Sequence, residues 1–212
     1  MPGRPQPCLR RRLAAAALAL GLLSLAGCGD AATPAAAQVT ASPVPATASV
    51  APSTAVAAPL VMAAARPVRV RIPAIGVDSD LMDLGLQDDG TLEVPPDGFP
   101  AGWFTGAPTP GEQGPAVIAG HVDWAGAPGV FAALRDVAAG DEITVSRADG
   151  STAVFRVTEV GQYDKDAFPT AAVYGDLDHA GLRVITCGGE FDDAAQSYLD
   201  NTVVFADLVA SA

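Results

Sequence analysis

From residue 68 onward the chain is written in short runs of alternating apolar and polar side chains, each closed off by Gly, Pro or Asp. Val68-Arg69-Val70-Arg71-Ile72, ending at Pro73, has the period of two that a half-buried strand requires. Runs of the same kind follow at residues 91–94, 116–119, 142–146, 153–160, 182–186 and 202–206. Asp149-Gly150, between two of them, is a hairpin turn signal. Helical periodicity is scarce: residues 129–134 allow a turn or two, and residues 192–198 one more. Short strands without long helical crossovers predict an antiparallel barrel or sandwich.

Upstream the pattern changes. Arg10, Arg11 and Arg12 precede an apolar run from Leu13 to Ala26, which falls short of the roughly 20 residues needed to span a bilayer. A basic segment followed by such a run is a secretory signal. Leu25-Ala26-Gly27-Cys28 resembles the bacterial lipobox, whose cysteine is acylated and becomes the mature N-terminus. That likeness makes residues 1–27 a cleaved signal peptide, Cys28 a lipid anchor and Cys8 a discarded residue. An ordinary signal peptide or a short uncleaved anchor is the alternative, and either way the rest of the chain is exported. Residues 28–67 are almost wholly Ala, Pro, Ser, Thr and Val, with nothing to build a core. They read as a tether, whose stretch from residue 31 to 66 would reach about 110 Å in an extended polyproline-like form.

Residues 68–212 form the remaining domain, large enough for one hydrophobic core. It carries seven Lys/Arg against 23 Asp/Glu, so it is more acidic than the net charge of -12 for all 212 residues suggests. That balance argues against nucleic-acid binding, which needs clustered basic side chains. There is no glycine-rich phosphate loop before a helix and no paired CxxC, which removes nucleotide and structural-zinc readings.

Two positions in this domain can carry chemistry. Cys187 is its single cysteine, and an unpaired cysteine in an exported protein raises the question of a reactive thiol. It ends the apolar run 182–186 and precedes Gly188-Gly189; a buried inert cysteine in a strand is the alternative. His121 has the same setting, after Val117-Ile118-Ala119-Gly120. A thiolate nucleophile and an imidazole that protonates the leaving amine make a complete pair for acyl transfer. His179, between Asp178 and Ala180, reads as a solvated loop residue.

Several stretches resemble the sortase family, class F most of all. They are Arg71 to Asp78, Asp89 to Pro95, Gly102-Trp103-Phe104, Pro108 to Gly111, Ala119-Gly120-His121-Val122-Asp123, Phe168-Pro169-Thr170, Ile185-Thr186-Cys187-Gly188-Gly189 and Tyr198 to Val204. The resemblance spans residues 68–208 in order. It implies a mainly β fold, a closed eight-stranded sortase-type barrel with short helical turns. It also implies a cysteine transpeptidase or hydrolase that cleaves a Leu-Pro-x-Thr-Gly-like C-terminal sorting signal. The thioacyl enzyme then passes the acyl group to an amine of a peptidoglycan precursor. Its partners would be sorting signals of exported proteins and that amine acceptor, on the outer face of a bacterial membrane, with no cofactor and no metal. Cys187 would be the nucleophile and His121 the general acid/base. Thr186 would lie beside the peptide, its side chain opposite to that of Cys187.

One departure stands out. The family carries an Arg about a dozen residues after the Cys, yet from Gly188 to Ala212 there is neither Arg nor Lys. Leu199, Asp200 and Asn201 stand near that spacing, and the Asn201 amide is a candidate oxyanion donor. An Arg from elsewhere (Arg135, Arg147, Arg156 or Arg183) is another route. The missing Arg also supports a second function: a sortase-like lipoprotein with weakened catalysis, serving as a binding or scaffolding module. Asp123, Asp164, Asp166, Asp176 and Asp178 form a Ca²⁺ site only if their loops converge; solvated loop carboxylates are the simpler reading.

Overall fold

The computed structural model describes residues 60–212. The expected signal peptide at residues 1–27, the lipidation candidate Cys28 and most of the expected tether lie outside the described residues. The strands are β1 (Pro67–Ile72), β2 (Val77–Leu84), β3 (Ala101–Phe104), β4 (Gly114–Ala119), β5 (Asp123–Trp124), β6 (Ala127–Pro128), β7 (Glu142–Arg147), β8 (Thr152–Asp164), β9 (Ala180–Asp192) and β10 (Ser197–Ser211). Among the described residues one short α-helix, α1 (Thr170–Tyr174), precedes β9. Eight strands close a barrel in the order β1-β2-β3-β4-β9-β10-β8-β7, and β5 with β6 forms a separate hairpin.

The barrel is not purely antiparallel. β2 runs parallel to β3, and β4 runs parallel to β9 with Ala119 opposite Ile185. Parallel neighbours need long connections: from β2 to β3 this is an irregular loop, and from β4 to β9 it is the β5–β6 hairpin, strands β7 and β8, and short helical turns that end in α1. The wall formed by β4, β9 and β10 is covered on both sides, which is why these strands read as continuous apolar runs. Ile118, Leu182, Val184 and Val204 join the barrel interior with Val70, Ile143, Val145 and Phe155. Val117, Ile185, Val203 and Phe205 face outward and pack beneath Val173 of α1.

Some expected elements differ. Residues 91–94 make no strand; Leu92 forms only an isolated bridge with Leu86. Residues 192–198 are not helical but hold the turn from β9 to β10, where Asp192 Oδ1 accepts from the Ala194 and Ala195 amides. Residues 129–134 lead into one 3-10 turn, Leu134–Asp136. The β7–β8 hairpin turns at Asp149-Gly150, where Gly150 takes φ +85° and Asp149 accepts from the Ser151 amide and hydroxyl.

The chain lies against the barrel before β1 begins. The Met62 amide donates to the Gly111 carbonyl at 2.7 Å, and the Ala65 amide to Thr109 Oγ1 at 3.1 Å. The buried Arg147 guanidinium donates to the Ala63 carbonyl, Ser151 Oγ and Met62 Sδ. On β1 and β2, Asp78 accepts from Arg69 and Arg71, whose guanidinium groups hold its carboxyl down at about 2.

Phe155 is fully buried in the interior cluster. Phe155→Ala should destabilise the protein by about 3–5 kcal/mol, read as a lower urea midpoint with an unchanged slope.

Candidate active site

Cys187 lies within β9, not at its end, because the strand continues to Asp192. Alternation carries its side chain to the outer face with Arg183 and Ile185, while Thr186 is buried on the opposite face and its Oγ1 has no partner. The thiol is free and half-buried. Past it the strand bulges: Gly188 pairs with Asp200 and Phe191 with Tyr198, so Gly189 and Glu190 of β9 stand opposite the single residue Leu199 of β10. Gly189 takes φ +77°, and a Cβ there would collide with the Asp200 side chain. The glycine pair thus lets β10 close over the strand just past the thiol.

His121 follows β4. The parallel ladder of β4 on β9 runs to Ala119 opposite Ile185, and the Gly120 amide extends it by donating to the Ile185 carbonyl at 3.1 Å. His121 and Cys187 each lie two residues past the Ala119–Ile185 pair, on the segments that leave the ladder side by side. The imidazole Nε2–H donates to the Pro95 carbonyl at 2.7 Å, and its ring rests on Trp124 with centroids 4.8 Å apart. No hydrogen bond joins the ring to the thiol among the described residues. Because a carbonyl only accepts, Pro95 fixes the proton on Nε2 and leaves Nδ1 as the nitrogen free to exchange one. The β5–β6 hairpin turns the chain back so that the Phe131 amide bonds the His121 carbonyl at 2.9 Å. Gly129 is packed against that same carbonyl, with no room for a side chain.

Asn201 is the strand partner of Cys187, and Tyr163 of β8 is the partner of Asn201, so the three occupy one row across three strands. Directly opposed residues share a face, which sets the Asn201 and Cys187 side chains on the same side. Lys165, which no motif in the sequence singles out, completes this corner: its Nζ lies 3.7 Å from Cys187 Sγ and donates to Ser197 Oγ at 3.0 Å. Of the arginines weighed from the sequence, only Arg135 lines the same cavity as Cys187, a hollow of about 170 Å³ that also meets Val122, Phe131 and Tyr198. Arg147 is committed to Ala63, Arg156 donates to the Gly140 carbonyl at 2.9 Å, and Arg183 lies over the Phe205 ring. Burial pulls the Arg183 guanidinium below its ordinary range. A larger hollow of about 590 Å³ opens at the far end of the outer face, by Phe104, Val117 and Tyr174, away from the thiol.

The acidic residues do not converge. Tyr198 donates to Asp123, whose carboxylate raises the phenol above its usual range, with burial and the nearby Cys187 adding to the rise. Asp164 accepts from the Asp166 amide at 2.7 Å, and Asp178 bonds His179. Among the described residues no three His, Cys, Asp or Glu side chains are grouped closely enough to hold a metal ion. His179 lies eight residues before Cys187, roughly 26 Å along an extended chain at about 3.3 Å per residue. It bridges Asp178 at 2.9 Å and Asp207 at 3.1 Å.

The model of the Sortase domain family matches residues 70–209. Among solved structures, the chain is similar to sortase C of Streptococcus pneumoniae, with TM-score 0.52 and 19% identity over 68% of this chain and 67% of that one. It is also similar to a lid mutant of sortase A from Corynebacterium diphtheriae, with TM-score 0.52 and 23% identity over 68% and 70%. The sortase D5 transpeptidase of Clostridium perfringens gives TM-score 0.50 and 22% identity over 68% and 79%. No curated protein matches the sequence.

The hydrogen bond to Asp178, followed by the charge of Asp207, raises the His179 imidazole above its ordinary value. Its contribution to stability is therefore complete below pH about 6.5 and lost as pH rises through the raised value. With the side chain 37% exposed, solvent screening keeps that contribution small. His179→Ala should remove this pH dependence of the melting temperature and leave peptide cleavage intact, measured by thermal unfolding across pH 5 to 9 beside an activity assay.

Proposed function

The chain belongs to the sortase family, and from that premise we propose that it is an exported cysteine transpeptidase with Cys187 as nucleophile and His121 as general acid/base. One observation carries the reading. The parallel pairing of β4 with β9, whose last pair is Ala119 with Ile185, brings side by side the two segments that lead on to His121 and to the free thiol of Cys187.

The steps follow from these groups. The Cys187 thiolate attacks the carbonyl of a Leu-Pro-x-Thr-Gly-like signal, forming a C–S bond and a tetrahedral oxyanion. Collapse breaks the C–N bond, and the leaving amine takes a proton from imidazolium His121 at Nδ1. An amine of a wall precursor then attacks the thioester and gives a proton to His121, and collapse breaks the C–S bond to release the Cys187 thiolate beside the restored imidazolium. Asn201, on the same face as Cys187, is the candidate amide donor to the oxyanion. The likeness to class F rests on the stretches from Arg71–Asp78 to Tyr198–Val204, those around His121 and Cys187 among them. The lipobox-like Leu25-Ala26-Gly27-Cys28 supports anchoring through a lipid on the outer face of the membrane. Among the described residues no helix is long and apolar enough to cross a membrane.

Cys187→Ala and His121→Ala should each abolish cleavage of a sorting peptide, and hydroxylamine should capture the acyl group as a hydroxamate in the unmodified protein. Peptide binding with no thioacyl adduct by mass spectrometry would instead identify the scaffolding lipoprotein. Full activity of Cys187→Ala would overturn the mechanism.

A further inference from the structure

Lys165 is the only lysine in the sequence, and it stands at the one free thiol of the described residues. It opens the 3-10 turn Lys165–Ala167 directly after β8, a turn whose start is fixed by the Asp164 side chain. From there Nζ comes within 3.7 Å of Cys187 Sγ and donates to Ser197 Oγ at 3.0 Å. The Ser197 hydroxyl proton is directed to the Tyr198 carbonyl at 3.2 Å, so its lone pairs face the lysine. Ser197 is thus a positioning residue that holds the ammonium against the sulfur.

The charge pattern makes this placement informative. With 23 acidic side chains available in the domain, no carboxylate of the described residues pairs with Lys165 within 4 Å. A half-buried ammonium without a counter-ion loses hydration and gains no ion pair in return. A thiolate supplies the missing anion. We propose that Lys165 is a further catalytic residue, whose ammonium holds the Cys187 sulfur in its anionic form and then donates to the oxyanion of the tetrahedral intermediate. The proposal rests on the reading of Cys187 as nucleophile. A cation within about 4–6 Å favours an anion, and the thiolate is the attacking species. Once the carbonyl carbon is bonded to Sγ, its oxygen is one atom further out, within reach of an N–H group that already meets the sulfur. No charge is created or consumed: the ammonium keeps its three protons throughout, and proton transfer stays with His121.

The test follows carbamidomethylation of the Cys187 peptide by mass spectrometry in the full chain, with iodoacetamide as the probe, from pH 5 to 11. Lys165→Met should slow alkylation at pH 7 by about tenfold, with the difference closing at high pH, while Lys165→Arg should retain most of the rate. With a cleavable sorting peptide, Lys165→Met should lower kcat on the order of a hundredfold and leave KM nearly unchanged. An alkylation profile unmoved by Lys165→Met would overturn the proposal. So would losses that follow Arg135→Gln or Asn201→Ala in place of Lys165→Met, or a peptide amide on Nζ, which would make the amine an acceptor. If Cys187→Ala keeps its cleavage activity, the proposed function falls, and the alkylation profile still reports separately whether Lys165 acts on the thiol.

Discussion

The parallel ladder between β4 and β9 is the constraint on which the site depends. A parallel pair cannot be made by a hairpin, so two segments some sixty residues apart must be brought together by everything between them. The wall that results is buried on both faces, with Ile118 and Val184 inward and Val117 and Ile185 outward. A slip of one residue would turn each side chain to the wrong face and separate His121 from Cys187. Register here is thus set by two cores at once, and the geometry of the reacting pair comes with it.

Charge is distributed with the same economy. The domain is strongly acidic, and most of its arginines are tied to the barrel wall. Arg69 and Arg71 meet Asp78, Arg156 reaches the Gly140 carbonyl, Arg147 holds Ala63, and Arg183 lies on Phe205. Arg135 and Lys165 are the basic residues left at the thiol, and only Lys165 touches it. In such a surrounding field an ammonium with no carboxylate partner is a conspicuous neighbour for a thiol.

Much of this was legible in the sequence, for reasons that can be traced. β1, β7 and β8 show clean alternation because one face is wet, and Asp149-Gly150 marks their hairpin by its turn chemistry. The runs before His121 and Cys187 were legible as strands, but their burial on both faces comes from the packing of α1 over the barrel wall. β2 was hidden because Asp78, Asp80 and Asp83 give it the look of a loop; its acids are paired with the arginines of β1 and with Arg66. The helix expected at residues 192–198 became a turn because the strands on either side pair with each other, and tertiary pairing outweighs a weak local preference. Lys165 gave no signal: it is 22 residues from Cys187, in a turn, and meets the thiol only through the β8–β10–β9 pairing. Its being the sole lysine was the one available hint.

The registers also fix which way the site faces. Pro67 at the start of β1 pairs with Arg147 at the end of β7, and Ala212 exchanges hydrogen bonds with Thr152 at the start of β8. β8 then runs up to Asp164 and Lys165, beside the end of β9 that bears Cys187. The chain therefore enters the barrel at the end opposite the thiol. Arg147, by gripping the Ala63 carbonyl, secures that entry point.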